Sequence, residues 1–194
     1  MYSRNTSNYK EGTGENSDIL RNLGMLRGGS NMIIAAHAGT GKTTLAKMYP
    51  DRVADLVAMP YKYYLSQDFD SIEEETIKAN PDIPMHDDWP YNYIEAIKEN
   101  MSSGKILLIP PDSMVRWMLM NENIPYTLCY PQRDAKEIYR QRYLKRGNTE
   151  DFLRVFIDRW DVFLDLMEGD TYAQHIVMLP HQFLSDVIEE GLIG

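Results

Sequence analysis

Residues 32–48 read M-I-I-A-A-H-A-G-T-G-K-T-T-L-A-K-M, and the organisation of the whole chain follows from them. Met32, Ile33, Ile34, Ala35 and Ala36 form an apolar run of the kind that makes a buried strand. A glycine-rich turn follows, and then apolar positions at Leu45, Ala46 and Met48 with helical spacing. Strand, turn and helix in this order are the context expected of the phosphate-binding pattern G-x-x-x-x-G-K-[ST]. Gly39 and Gly41 permit backbone angles closed to other residues, so that several N–H groups turn inward around an anion. The loop from Ala38 through Thr44 leads into a helix whose first N–H groups and positive dipole end add to that cup. Lys42 is placed to reach the β- and γ-phosphates of a nucleotide, and the Thr43 hydroxyl to hold Mg²⁺.

Ala36 stands where the pattern has its first glycine. A residue that closes a strand lies in the β region, which alanine occupies freely, so the change is expected to be tolerated. A positive φ at that position would instead strain the loop.

The chain has 194 residues, a single-domain length with room for a sizeable core, and 43 % hydrophobic against 25 % charged residues. No apolar run reaches the roughly 20 residues that a membrane span needs. No charged-then-apolar leader opens the chain. The one cysteine, Cys129, lies in an apolar stretch and reads as a small buried hydrophobe. Together these point to a cytoplasmic protein without a membrane partner. His37, His86, His175 and His181 have no metal-ligand spacing with one another or with Cys129. The net charge of −9 argues against a nucleic-acid partner. Against that acidic background, Arg133, Lys136, Arg140, Arg142, Lys145 and Arg146 crowd into one stretch, with only Asp134 and Glu137 to balance them.

Residues 1–30 are polar and rich in Gly, Ser and Asn, and read as a mobile arm; Ile19, Leu20, Leu23 and Leu26 have helical spacing within it. Residues 31–194 are the folded domain. A second strand is expected at Arg52 to Met59, interrupted by Asp55. A carboxylate inside a buried strand needs a cation, a metal or hydrogen-bond donors, so Asp55 faces either the phosphate and Mg²⁺ or a structural partner. Residues 60–90 are aromatic and acidic, with a capping-box pairing of Ser71 and Glu74 and three prolines, and they leave the sheet. Their rings serve either a planar ligand or the sheet edge. Lys62 is the cation of the Tyr61–Tyr64 cluster and a contact for a substrate phosphate.

Further on, Tyr91 to Met101 reads as a helix closed by Gly104, and Lys105 to Ile109 as a buried strand. A helix over Met114 to Asn121 follows, with Asp112 or Ser113 as its cap; for Asp112 capping is preferred to the role of a Mg²⁺-associated carboxylate. Tyr126 to Tyr130 is a strand, and the basic helix after it opens with Asp134 and Glu137 paired as in a capping box. Its like charges repel at i,i+4, a cost that a bound polyanion removes. Thr149 caps a long helix with one apolar stripe from Phe152 to Met167; a strand over His175 to Leu179 and a helix over Gln182 to Glu190 end the chain. Five strands joined by helical crossovers predict an α/β, three-layer phosphate-loop fold. It has a five-stranded parallel sheet, helices on both faces and a short lid helix at 132–148, with ligand at the carboxyl ends of the strands.

The loop, Asp55 on the second strand, the aromatic insertion and the basic helix after the fourth strand together resemble the nucleoside-monophosphate-kinase and shikimate-kinase-like group, including small adenylate-kinase-like proteins of phages and bacteria. The resemblance spans about residues 31–190. It implies that Gly39, Thr40, Gly41, Lys42 and Thr43 hold ATP and Mg²⁺, that Asp55 lies near metal or acceptor, and that residues 60–90 bind the acceptor. Arg133, Arg140, Arg142 and Arg146 then include the lid arginines, with Arg142 and Arg140 foremost. The function implied is ATP- and Mg²⁺-dependent phosphoryl transfer to a small acceptor, a nucleoside or nucleotide. An NTP-hydrolysing switch and a polynucleotide- or protein-directed kinase are the other two classes such a loop serves.

Overall fold

The structure is a computed structural model, in which residues 32–64 and 83–188 are described. The arm expected at residues 1–30 and the capped helix expected at Ser71 lie outside these residues.

The loop-bearing strand, β1 (Ile33–Ala36), is the middle of a five-stranded sheet. It pairs with β3 (Ile106–Ile109) on one side and β4 (Thr127–Pro131) on the other. Beyond these lie β2 (Val53–Asp55) and β5 (Gln174–Met178), giving the order β2-β3-β1-β4-β5 with every pairing parallel. Alternate side chains leave the sheet in opposite directions into two cores. Ile33, Ala35, Leu107, Ile109, Leu128 and Tyr130 meet the helices α3 (Tyr91–Met101), α4 (Ser113–Asn121), α5 (Lys136–Lys145), α6 (Glu150–Phe156) and α7 (Trp160–Glu168). Ile34, Ala36, Leu108, Cys129, Ile176 and Met178 meet Leu45 of α1 (Lys42–Met48) and Leu184 and Val187 of α8 (Leu184–Val187). The three-layer architecture predicted from the sequence is the one observed. It explains why the strands read as continuous apolar runs: each is covered on both faces. Among the described residues no helix is long and apolar enough to cross a membrane.

Several boundaries differ from the sequence reading, each for a physical reason. The second strand stops at Asp55, opposite Leu108 of β3, and Leu56 N makes the last bond to that strand, to Leu108 O. The chain then turns into a short helix, α2 (Met59–Lys62), with Pro60 in its first turn, where no N–H is required. The long helix after Thr149 is two helices. Thr149 Oγ1 does accept from Phe152 N at 3.3 Å, but α6 ends at Phe156 and the chain turns through Ile157–Arg159 before α7. The break lets Phe156 stack on Phe163 with an interplanar angle of 20° and lets Trp160 Nε1 donate to Arg133 O at 3.0 Å. Arg133–Ala135 forms a 3-10 turn, so Asp134 makes no cap for α5. Of the two candidate caps for α4 it is Asp112 that serves, accepting from Met114 N at 2.9 Å.

Candidate active site

The turn between β1 and α1 lies at the carboxyl end of the sheet. Gly39 and Gly41 adopt φ of +76° and +94°, the left-handed conformations that the cup requires. Asn123 is the one non-glycine residue with positive φ among the described residues, so Ala36 sits unstrained where the pattern has glycine. A Cβ on Gly39 would come within 2.8 Å of Tyr143 Cε1, so the position is also closed by packing. Lys42 Nζ donates to Ala36 O at 2.7 Å and to His37 O at 3.2 Å, which holds the ammonium inside the loop. Buried Thr40 donates to His37 O at 2.7 Å and accepts from Leu184 N, tying the loop to α8.

The loop rests on aromatic rings. Tyr139 and Tyr143, one turn apart on α5, are both fully buried, and Tyr143 Oη donates to Ala38 O at 3.0 Å. His37 is 2 % exposed and lies edge-on to Tyr139, Phe156, Trp160 and Phe163. Its Nδ1 donates to Ala38 O at 3.0 Å, and its buried Nε2 has no partner among the described residues. Leaving such an atom unpaired costs about 1–3 kcal/mol. Burial pushes the His37 pKa down to about 4; the bond to Ala38 opposes this and the Lys42 charge adds to it.

A pH dependence follows from that shift. The unfolded chain protonates His37 below pH 6.5 while the folded one does not until about pH 4. Stability is therefore complete above pH 6.5 and declines as pH falls toward 4, by up to about 1.4 kcal/mol per pH unit and of order 3 kcal/mol in total. His37→Phe removes this term. Urea unfolding of both proteins from pH 7 to pH 4 is expected to show the variant gaining on the wild type as pH falls; parallel curves would contradict the assignment.

Beside the loop, Thr43 Oγ1 donates to Asp55 Oδ2 at 2.7 Å. This pair, from the first turn of α1 and the last residue of β2, suits Mg²⁺: a hydroxyl ligand with a carboxylate next to it, neither fully buried. Both line a cavity of about 550 Å³, as do Ala38, Gly41, Lys42 and Thr44. Phe152 and Phe156 from α6, and Phe163, Leu166 and Met167 from α7, line it as well. Lys62 and Asp112, paired at 3.0 Å, lie on it too, as does Arg116, which is ion-paired to Asp170.

The structure separates the predicted arginines. Arg146, at the end of α5, lines the cavity. Arg142 does not. Its Nη2 donates to Pro180 O and Gln182 O, both at 3.1 Å, and its guanidinium lies between the rings of Tyr139 and Phe183. Arg140 is exposed, 3.8 Å from Glu137. Arg133 binds Asp165 and Glu168 on α7 at 2.5 and 2.7 Å. The face of α5 against the loop thus carries tyrosines, and most of its cations lie elsewhere. Sequence reasoning did not single out His37 or the three phenylalanines as site residues. The signal for the tyrosines was present in their i,i+4 spacing; His37 was weighed only as a metal ligand.

No family model and no curated protein sequence matches the chain. Among solved structures, a gluconokinase from Sinorhizobium meliloti 1021 aligns with a TM-score of 0.45 at 15 % identity, over 84 % of this chain and 89 % of that one. A sugar kinase from Janibacter sp. HTCC2649, in an unliganded structure, aligns with a TM-score of 0.51 at 18 % identity, over 84 % of this chain and 92 % of that one. The chain therefore has the fold of the phosphate-loop kinases, the fold that its loop, its sheet order and its two-sided helical cover had already described.

Proposed function

We propose that this protein transfers the γ-phosphoryl group of Mg-ATP to a small acceptor, and that the acceptor is a nucleoside or nucleotide. One observation carries the reading: one cavity is lined both by Lys42, Thr43 and Asp55 and by the aromatic rings of Phe152, Phe156 and Phe163. A molecule held there lies beside the terminal phosphate and excludes the water that would otherwise accept it. A hydrolysing switch has no use for such a space, and a polynucleotide suits neither its size nor the net charge of −9.

The loop amides and Lys42 bind the phosphates, and Thr43 with Asp55 beside it would hold Mg²⁺, which would supply positive charge to the phosphates. Arg146, exposed at the end of α5 and on the cavity lining, supplies a further cation there. Arg142 anchors α5 beside the nucleotide end of the loop, and Arg140 could join only through movement of that helix. The Janibacter protein is a sugar kinase. A sugar brings several hydroxyls that each need a partner, whereas Lys62, Asp112 and Arg116 in the lining are already ion-paired and Phe152, Phe156, Phe163, Leu166 and Met167 offer none. That aromatic lining supports a planar heterocycle instead.

The test is Mg-ATP with a panel of nucleosides, nucleoside monophosphates, hexoses and sugar acids, read by product mass. A phosphorylated nucleoside or nucleotide is expected. A phosphorylated sugar alone overturns the acceptor assignment, and hydrolysis that no acceptor stimulates overturns transfer. In the same assay Asp55→Asn is expected to raise the Mg²⁺ needed for half-maximal rate about tenfold or more. Superimposable Mg²⁺ curves would remove Asp55 from the metal site.

A further inference from the structure

His37 is chemically over-specified for packing. Its ring stands edge-on to four aromatic neighbours, a space that phenylalanine fills without burying a nitrogen lone pair. The Nδ1–H is committed to Ala38 O, which fixes the tautomer and leaves the lone pair on Nε2. Nε2 lies on the far side of the ring from that bond, is buried, and has no hydrogen-bond partner among the described residues. Two of the flanking rings, Phe156 and Phe163, line the cavity, and so does His37 itself. The residue is also one position past β1 and five before Lys42, beside the place where the phosphates lie.

We propose that His37 is a specificity-determining residue whose buried Nε2, reached by displacement of the Phe156 and Phe163 rings that flank it, accepts a hydrogen bond from an N–H of the acceptor, a planar heterocycle seated against those two rings. The proposal rests on the nucleoside-acceptor reading above and names the contact that selects within that class. Phe152, Phe156 and Phe163 form a column, with centroid spacings of 4.3 and 5.5 Å and interplanar angles of 28° and 20°. Such a column offers flat apolar surface to the face of a heterocycle, while the N–H groups of the heterocycle project in its own plane and can reach an acceptor at its edge. Burial keeps His37 neutral throughout the physiological range, so it offers this lone pair and never a second proton. An edge presenting only acceptors meets lone pair with lone pair and is rejected.

The experiment uses the full chain with Mg²⁺ and a non-hydrolysable ATP analogue. Adenosine, guanosine, cytidine and thymidine are titrated by calorimetry, each beside its counterpart methylated at every N–H of the base. At least one parent nucleoside is expected to bind wild-type protein about tenfold or more tightly than its methylated counterpart. In His37→Phe that preference is expected to fall below about twofold, mainly through weaker binding of the parent. His37→Leu carries the same comparison should the phenylalanine variant not fold. Binding by none of the four nucleosides, or a methyl penalty that survives loss of the imidazole, overturns the proposal. Product mass with ATP separates the two claims. Binding with this signature but no transfer keeps the role of His37 and removes the kinase reading; transfer to methylated and parent nucleosides at equal rates does the reverse.

Discussion

Lys42→Ala is expected to lower the rate of phosphoryl transfer by about a thousandfold, within the range measured when one preorganised charge or donor is removed from a transition state. The fold should survive. The Lys42 side chain is partly exposed and bonds the carbonyls of Ala36 and His37 at the carboxyl end of β1. Of these, His37 O keeps a bond from Thr40 Oγ1, so the loss to stability is on the order of 1 kcal/mol. Those two bonds also bear on mechanism. They draw the ammonium across the loop to the strand end, where a terminal phosphate in the amide cup finds it already positioned. The loss should therefore fall on kcat more than on the affinity for ATP, which the loop amides and the dipole of α1 continue to supply. A variant that retains more than a tenth of wild-type turnover, or one that loses ATP binding and turnover in equal measure, would remove Lys42 from the transferring phosphate.

What the sequence disclosed was what short-range chemistry fixes. An apolar run buried on both faces, followed by Gly39 and Gly41 at the two positions that demand positive φ, specified β1, the loop and α1 together. Asp55 was legible because a carboxylate in an apolar run needs a partner, and the partner is Thr43, twelve residues earlier. Rotation of a helix is less legible when both its faces carry plausible residues. The cations of α5 drew attention to Arg140 and Arg142, yet Tyr139 and Tyr143 on the adjoining stripe had more apolar surface to bury and took the side against the loop. The break between α6 and α7 was hidden for a similar reason. The stripe from Phe152 to Met167 keeps helical spacing across Ile157–Arg159, and only tertiary contacts, the Phe156–Phe163 stack and the Trp160–Arg133 bond, make two helices preferable to one. His37 was invisible as a site residue because its significance lies in what fails to bond it, which no pattern of residue types reveals.

The largest expected effect on stability is at Trp160, and it connects the core to the site. The side chain is fully buried, its Nε1 donates to Arg133 O, and its ring lies 5.3 Å from Tyr139 and 5.5 Å from His37. Trp160→Ala removes the largest ring under the phosphate loop and is expected to cost about 3–5 kcal/mol, because neighbours held by the sheet cannot collapse into the cavity. For a chain of this length that corresponds to a melting temperature lower by about 6–20 °C. Trp160→Phe keeps most of the ring and loses the indole donor, so its cost should approach that of one unpaired carbonyl, about 1–3 kcal/mol. The two variants separate packing from hydrogen bonding, and the loop reports on the first. If the column of Trp160, Tyr139 and His37 fixes the loop in its anion-binding form, Trp160→Ala also weakens ATP binding at temperatures where the protein is still folded, whereas Trp160→Phe does not. A Trp160→Ala protein that melts within 2 °C of wild type, or one that is destabilised yet binds ATP as tightly, would mean that the loop holds its shape without the aromatic layer beneath it.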